Sequence, residues 1–235
     1  IMNVSKVYNE NRDKILAQVD QLKSVFKDLN RKNSVLKQDL EPYAEKILQY
    51  LDRENGGFKG APKFPQFYIF QTLIYFYNIT KKNDYLVAVQ TLLENISSKG
   101  IYDHLDGGIS RYTVDDKWMI PHFEKMLYDN IQYVILLTHF LKLKKSDYLL
   151  EKLRQTISFI NSEFKSENNL IGSAIDADSE GVEGKYYTWA YEDLKIKLGD
   201  KFEIFKKGFN ISVDGNFDNF NILSEKNIIS LTNEE

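Results

Sequence analysis

The 235-residue sequence contains no cysteine. Disulfide bonds, thiolate metal sites and a cysteine nucleophile are therefore excluded, and the composition is compatible with a reducing compartment. No apolar run approaches the roughly 18 residues of a membrane span, and the first residues are too polar for a secretory signal. We accordingly expect a cytoplasmic location and no membrane partner.

An excess of charge of one sign is also missing. The chain has 31 basic and 34 acidic residues, a formal net charge of -3, so electrostatics offers no reason to expect a nucleic acid partner. Histidine is scarce as well, with three in the chain. Aromatic residues are abundant, with 15 tyrosines and 15 phenylalanines. Aromatic residues in such numbers suit a large cleft whose rim is exposed to water, although they occur more commonly in the interfaces between packed helices.

Apolar residues recur at helical spacing along most of the chain, which predicts helices. A helix that is apolar around most of its circumference, such as 67–80, should be buried on nearly all sides. Helical pairs alternate with loops rich in Gly, Asp and aromatics, a weak repeat of about 50 to 70 residues. This order predicts an α-solenoid or a closed α/α toroid whose loops line a shared cavity. The predicted helices cover residues 6–30, 41–54, 67–80, 84–98, 121–143, 146–164, 191–198 and 201–209.

The loop at residues 100–130 concentrates the most chemistry. A helix is predicted to begin at Pro121, near the end of this loop. This helix would place His122 in its first turn and Asp129 two turns further along the same face. The helix dipole would then favour a neutral His122 that accepts a proton. His104 and His122 are candidates for an acid–base pair. The alternative is that they hydrogen-bond the loop backbone.

A second acidic loop covers residues 168–189. Asp176, Asp178 and Glu180 imitate the first half of a calcium-binding EF-hand loop, but the twelfth position, where a glutamate belongs, is Tyr187. We therefore predict no metal site. Paired carboxylates in a cleft also suit the binding of sugar hydroxyls or acid–base chemistry on glycosides. A turn or capping role is the alternative.

Aromatic residues stand beside both acidic loops. Flat rings flanked by carboxylates and an arginine are what a polyhydroxylated ligand needs, because the rings stack on its C–H face and the polar groups bond its rim. The alternative is that these residues plug the centre of the helical array. In the helix predicted to begin at Pro121, Glu124 lies about 200° around the helix axis from His122. It would there interact with the helix dipole or with the neighbouring loop. The candidate ligand-binding residues are Trp118, Trp189, Arg111, Tyr112, Glu124, Glu180 and Tyr187.

Four motifs carry a resemblance to a known family. GGFKGAPKFP at 56–65, GIYDHLDGGISRYTVDDKWMIPHFEKMLYDN at 100–130, SAIDADSEGVEGKYYTW at 173–189 and GNFDNFNIL at 215–223 closely resemble the YyaL/spermatogenesis-associated protein family. The resemblance extends from about residue 40 onward, in the same order. Ser110 stands where some members carry a histidine, so a histidine there is not required.

The resemblance implies a thioredoxin-like domain followed by an all-α domain. That second domain would be an α/α toroid of the six-hairpin glycosidase class, related in fold to N-acylglucosamine 2-epimerases. Residues 1–40 would be the helical connection after a thioredoxin-like domain that is missing here, and 41–235 the N-terminal part of the toroid, an incomplete ring of helical hairpins. A thioredoxin-like domain would then be a partner within the full-length protein.

Two functional hypotheses follow. In the first, the domain resembles carbohydrate-active enzymes and catalyses sugar epimerisation or isomerisation, which requires proton transfer but no metal or organic cofactor. His122 and His104 would transfer protons, and Asp176, Asp178 and Asp129 would orient them or the sugar. In the second, the domain is a non-catalytic binding or scaffold module of a redox-associated protein. The first hypothesis requires the loops at 100–130 and 168–189 to meet.

Overall fold

The computed structural model describes residues 7–29, 40–166, 168 and 170–226. The chain divides into two units, Ile1–Leu40 and Glu41–Glu235. In the first unit, helix α1 (Arg12–Leu29) carries Ile15, Val19, Leu22 and Phe26 at helical spacing. Residues 1–6 and 30–39 of the predicted helical connection, 1–40, lie outside the described residues.

The second unit is mostly helical. Two hairpins form its centre, one made by α3 (Phe67–Thr80) and α4 (Asn83–Ser98) and the other by α5 (Leu127–Leu143) and α6 (Asp147–Glu163). Helix α3 packs against α5. Ser146 caps the N-terminus of α6 by accepting a hydrogen bond from the backbone N–H of Leu149. Lys81, in the left-handed conformation, ends α3. The helices are α2 (Glu41–Tyr50), α3 (Phe67–Thr80), α4 (Asn83–Ser98), α5 (Leu127–Leu143), α6 (Asp147–Glu163), α7 (Tyr191–Leu198) and α8 (Phe202–Gly208).

The core lies between the two hairpins. Buried side chains of α3, α4 and α5 form one cluster, which includes Phe70, Val89 and Leu136. The prediction that α3 is buried on nearly all sides is wrong, because Tyr68 and Tyr75 are 60% and 59% exposed. Within the described residues, no helix is long and apolar enough to cross a bilayer.

Short strands of two residues each occur in the loops of this mostly helical unit. They pair as four antiparallel two-stranded sheets, because backbone N–H and C=O groups in ordered, partly buried loops need partners. Two of the sheets join loops that are distant in sequence. The pairs are β1 (Tyr112–Thr113) with β2 (Pro121–His122), β3 (Lys125–Met126) with β4 (Ala174–Ile175), β5 (Asp178–Ser179) with β6 (Val182–Glu183), and β7 (Thr188–Trp189) with β8 (Asn221–Ile222).

The helix predicted to begin at Pro121 begins at Leu127 instead. Strand β2 pairs with β1 of the same loop, whereas β3 pairs with β4 of the second acidic loop. This pairing overrides the local helical periodicity. His122 is therefore not in a helix, and the dipole argument for its neutral form does not apply. Asp129 lies in the first turn of α5 and shares no helical face with His122.

Candidate functional site

A cavity of about 400 Å³ opens where two loops meet the strand near the end of the described chain. Its lining comes from residues 100–110, from residues 179–189, and from Phe123, Ile222 and Leu223. The volume falls in the range of roughly 300–1,000 Å³ that is typical of ligand pockets. The cavity is therefore large enough for a small organic ligand.

Buried Lys125 ties one wall of the cavity together. Its side chain is 1% exposed, and its Nζ donates to Asp103 Oδ2 at 2.7 Å and to the Gly107 carbonyl at 3.1 Å. The same Nζ lies 4.8 Å from the centre of the Tyr187 ring. Burial lowers the pKa of Lys125, although the adjacent Asp103 carboxylate opposes the shift. The ion pair thus joins two parts of the first loop, and the contact with the Tyr187 ring extends from Lys125 to the second loop.

His104 lines the cavity, but both of its ring nitrogens have protein partners. Nε2 lies 3.1 Å from the Lys99 carbonyl, whereas Nδ1 lies 3.3 Å from Glu225 Oε1 and 3.4 Å from Lys152 Nζ. Burial lowers the pKa of His104, because it disfavours the charged ring. Proton transfer between His104 and a ligand therefore requires one of these contacts to open.

Glu225 anchors this cluster. It also accepts hydrogen bonds from Lys152 Nζ at 2.8 Å and from the Tyr148 hydroxyl at 2.7 Å. Burial acts to raise the pKa of Glu225, but the hydrogen bond with His104 and the charge of Lys152 outweigh it and lower the value to about 2. The cluster holds the segment that follows β8 against the first loop.

Several polar groups of the lining keep hydrogen-bonding capacity. Within the described chain, the Ser110 and Tyr187 hydroxyls have no hydrogen-bond partner in the protein, and Ser110 is 4% exposed. Asp106 accepts from the Tyr186 hydroxyl at 2.8 Å through Oδ2, which leaves Oδ1 available. Beside them, the Tyr187 ring stacks on Phe123 with centroids 5.5 Å apart. The lining thus combines aromatic surface with hydroxyl and carboxylate groups.

The structure brings some of the predicted site residues to this cavity and leaves others elsewhere. His104, Glu180, Tyr187 and Trp189 line it. The other predicted site residues are not in its lining: His122, Asp176, Asp178, Asp129, Trp118, Arg111, Tyr112 and Glu124.

His122 lies at a separate place on the same pair of loops. Its Nδ1 is 2.7 Å from Glu183 Oε1, and its ring stacks on Tyr112 with centroids 5.1 Å apart. Tyr112 in turn stacks on Phe64 at 4.6 Å. The two loops therefore do meet, but His122 and His104 do not face one cavity.

Trp118 is a core residue, which corrects its assignment to a sugar platform. Its side chain is fully buried, at 0% exposure, and Nε1 donates to the Asn55 carbonyl at 2.8 Å. Lys63 Nζ lies 5.1 Å from the ring centroid. The loop that contains Gly57 covers the ring, so no face remains for a ligand.

The second acidic loop forms a turn. Asp176 and Asp178 are exposed. Asp176 Oδ1 accepts a hydrogen bond from the backbone N–H of Asp178 at 3.1 Å, which is the turn role given above as the alternative to ligand binding. Glu180 forms an ion pair with Lys185. Among the described residues, no group of three His, Asp or Glu side chains is arranged to hold a metal ion.

Arg111, Glu124 and Asp129 form a charged group outside the cavity. Arg111 Nη1 lies 3.2 Å from Glu124 Oε2. Burial raises the pKa of Asp129 to about 6, against the opposing charge of Arg111 and a hydrogen bond with Tyr128. The folded state therefore holds the Asp129 proton more tightly than the unfolded chain, and the stability from this group is lost as pH rises from about 4 to about 6.

Replacing Asp129 by asparagine is expected to stabilise the protein at pH 7.5, because a partly desolvated charge is removed. After allowance for its partial exposure, we expect a gain of about 1 kcal/mol. Urea unfolding at pH 7.5 and at pH 4 measures it. The gain should largely disappear at pH 4, where the native carboxyl is already protonated; equal stability of the two proteins at pH 7.5 would contradict the prediction.

Comparisons with known proteins agree with the motifs. No family model matches the sequence. An uncharacterized protein of Caenorhabditis elegans is 32% identical over 88% of this chain, which covers 31% of that relative. Spermatogenesis-associated protein 20 is 32% identical in Mus musculus and 31% in Homo sapiens, in both over 63% of this chain and 20% of the relative. The chain thus spans less than a third of the curated relatives it matches.

A solved structure shares the fold. The crystal structure of a sugar epimerase from a ruminal bacterium superposes with a TM-score of 0.51 at 16% sequence identity. The match covers 65% of this chain and 43% of the epimerase chain. At this level of identity the similarity concerns the fold, not the chemistry.

Proposed function

Because this chain belongs to the family of spermatogenesis-associated protein 20 and shares a fold with a sugar epimerase, we propose that its cavity binds a monosaccharide-sized ligand. The observation that carries the proposal is the composition of the cavity wall. The Ser110 and Tyr187 hydroxyls and Asp106 Oδ1 offer unused hydrogen-bonding capacity beside the aromatic surface of Trp189. Sugars need both, since their hydroxyls bond at the rim and their C–H faces pack on rings.

The proposed architecture is the N-terminal part of an α/α toroid. The fold similarity to the epimerase supports it, as do the paired helices of the two hairpins. Exposed apolar side chains on α3 and α5, among them Tyr75, Ile79 and Ile135, suit packing against further helices of a ring. A thioredoxin-like domain in the full-length protein remains part of this proposal.

The proposed reaction is epimerisation or isomerisation by proton transfer. His104 is the imidazole in the cavity wall, so it is the group assigned to this step. Glu225 and Lys152 hold Nδ1, and Nε2 would exchange a proton with the ligand after leaving the Lys99 carbonyl. His122 lies outside this wall and takes no part in the step.

The alternative is a non-catalytic binding or scaffold module. The complete pairing of His104 supports it, because a ring with both nitrogens bonded is suited to holding the loop in place. In that case His104→Gln lowers stability and leaves sugar binding unchanged. In the catalytic case the same variant abolishes exchange of the sugar C–H proton with deuterated solvent.

Calorimetric titration with neutral hexoses and N-acylated hexosamines tests the binding proposal. We expect saturable binding, and about fivefold weaker binding by Tyr187→Phe, which removes one neutral hydrogen bond of about 1 kcal/mol. Tyr43→Phe, on exposed α2, is the matched control and should bind as the wild type does. Lack of saturation by any of these sugars would refute the proposal, as would equal effects of the two variants.

A further inference from the structure

The carboxylates around the cavity differ in how their charge is balanced. Asp103 is paired with the buried Lys125 ammonium at 2.7 Å, and Glu180 is paired with Lys185. Asp106 has no cationic partner among the described residues. Of these three carboxylates, Asp106 is therefore the one without an ion pair, and the Lys125 charge acts on it only from beyond salt-bridge distance.

Asp106 is placed beside an aromatic ring. Tyr186 donates its hydroxyl to Asp106 Oδ2 at 2.8 Å, and the ring is 60% exposed. The adjacent carboxylate raises the pKa of the Tyr186 phenol to about 12 through this hydrogen bond, so the phenol stays neutral. A carboxylate next to an accessible electron-rich ring is the combination that attracts an ammonium group, through charge and through the ring face.

The lysine side chains around the cavity already form ion pairs with carboxylates of the protein. Lys125 and Lys152 are buried, each hydrogen-bonded to a carboxylate, and Lys185 is paired with Glu180. An anionic ligand would have to break one of these pairs or approach Asp106 without compensation. The geometry therefore disfavours phosphorylated and acidic sugars.

From this charge balance we infer that the cavity selects a sugar bearing a free amino group, whose ammonium pairs with Asp106 beside the Tyr186 ring. This inference rests on the proposed function and specifies the ligand class of the same site. A neutral sugar of the same size binds through the remaining hydroxyl contacts, but more weakly.

The test compares glucosamine, N-acetylglucosamine, glucose and glucose 6-phosphate by calorimetry, at a pH where the glucosamine amine is protonated. We expect glucosamine to bind about tenfold more tightly than N-acetylglucosamine, because a charge-assisted hydrogen bond replaces a neutral contact. Glucose 6-phosphate should bind more weakly than glucose. Asp106→Asn, which can still accept from Tyr186, should remove the preference for glucosamine over N-acetylglucosamine, whereas glucose should bind no more than about fivefold more weakly, the loss of one neutral hydrogen bond.

Asp116→Asn is the matched control, since it makes the same charge change at an exposed residue outside the lining. Thermal unfolding of both variants checks that the loop remains folded. Equal affinity for glucosamine and N-acetylglucosamine overturns the inference, as does preferred binding of the phosphate or an unchanged preference in Asp106→Asn. Those results leave sugar binding standing, whereas binding of none of the four sugars overturns the proposed function itself.

Discussion

Replacement of Lys125 by methionine is expected to destabilise the protein by about 3–5 kcal/mol. The methionine keeps much of the volume and length of the lysine, so the loss comes from the ion pair. Asp103, with a side chain 10% exposed, would be left without the ammonium that neutralises it. The Gly107 carbonyl would lose its hydrogen bond from Nζ. Urea unfolding at neutral pH, extrapolated to water, measures the change.

Lys117→Met is the control for this prediction, because Lys117 is exposed and its change should stay within about 0.5 kcal/mol. The double variant Lys125→Met with Asp103→Asn should recover part of the loss, since no charge is then stranded. If Lys125→Met costs no more than Lys117→Met, the ion pair does not hold the cavity wall.

A loss of more than about 3 kcal/mol is also expected for Asn130→Asp at neutral pH. Asn130 is 0% exposed. Its Oδ1 accepts the Ile109 N–H at 2.8 Å, and its Nδ2 donates to the carbonyls of Ile109 at 3.0 Å and Met126 at 2.9 Å. An aspartate would lose both donors and place a buried carboxylate against two carbonyl oxygens. The Asn130 side-chain amide therefore joins the turn at residues 107–109 to the start of α5.

Chemical denaturation of Asn130→Asp at pH 7 and at pH 4.5 distinguishes the causes. The loss should shrink at the lower pH, because a protonated aspartate regains one donor and carries no charge. Asn161→Asp, on the exposed face of α6, is the matched control and should change stability by less than about 0.5 kcal/mol. A pH-independent loss would point to packing rather than charge.

The residues that hold the cavity wall together carry little signal in the sequence. Lys125 stands in FEKML between charged Glu124 and apolar Met126, and lysine is ordinarily a solvated residue, so the local pattern does not predict its burial. Lys152 and Glu225 lie on α6 and after β8, 73 residues apart, and neither pattern alone predicts that they meet at His104. Asn130 ends the motif PHFEKMLYDN, and no feature of that local pattern predicts its complete burial. In each case the partner lies far away in the chain.

The error at Pro121 has the same origin. Phe123, Met126 and Leu127 fit helical spacing, and a proline suits a helix start. Lys125 and Met126 nevertheless pair with Ile175 and Ala174, and His122 pairs with Tyr112. The expected position of His122 on one helical face with Asp129, and with it the dipole argument for a neutral imidazole, depended on that local prediction.

By itself, the sequence determined that paired helices alternate with loops and which family the chain resembles, although it misplaced the start of α5. Helical periodicity, capping and motif order are properties of neighbouring residues, so they can be read from the chain directly. The tertiary structure alone decided that His104 and Tyr187 line one cavity, that His122 bonds Glu183 elsewhere, and that Trp118 is buried. These outcomes depend on ion pairs and strand pairings between distant segments, which compete with local preference and are settled only when the chain packs.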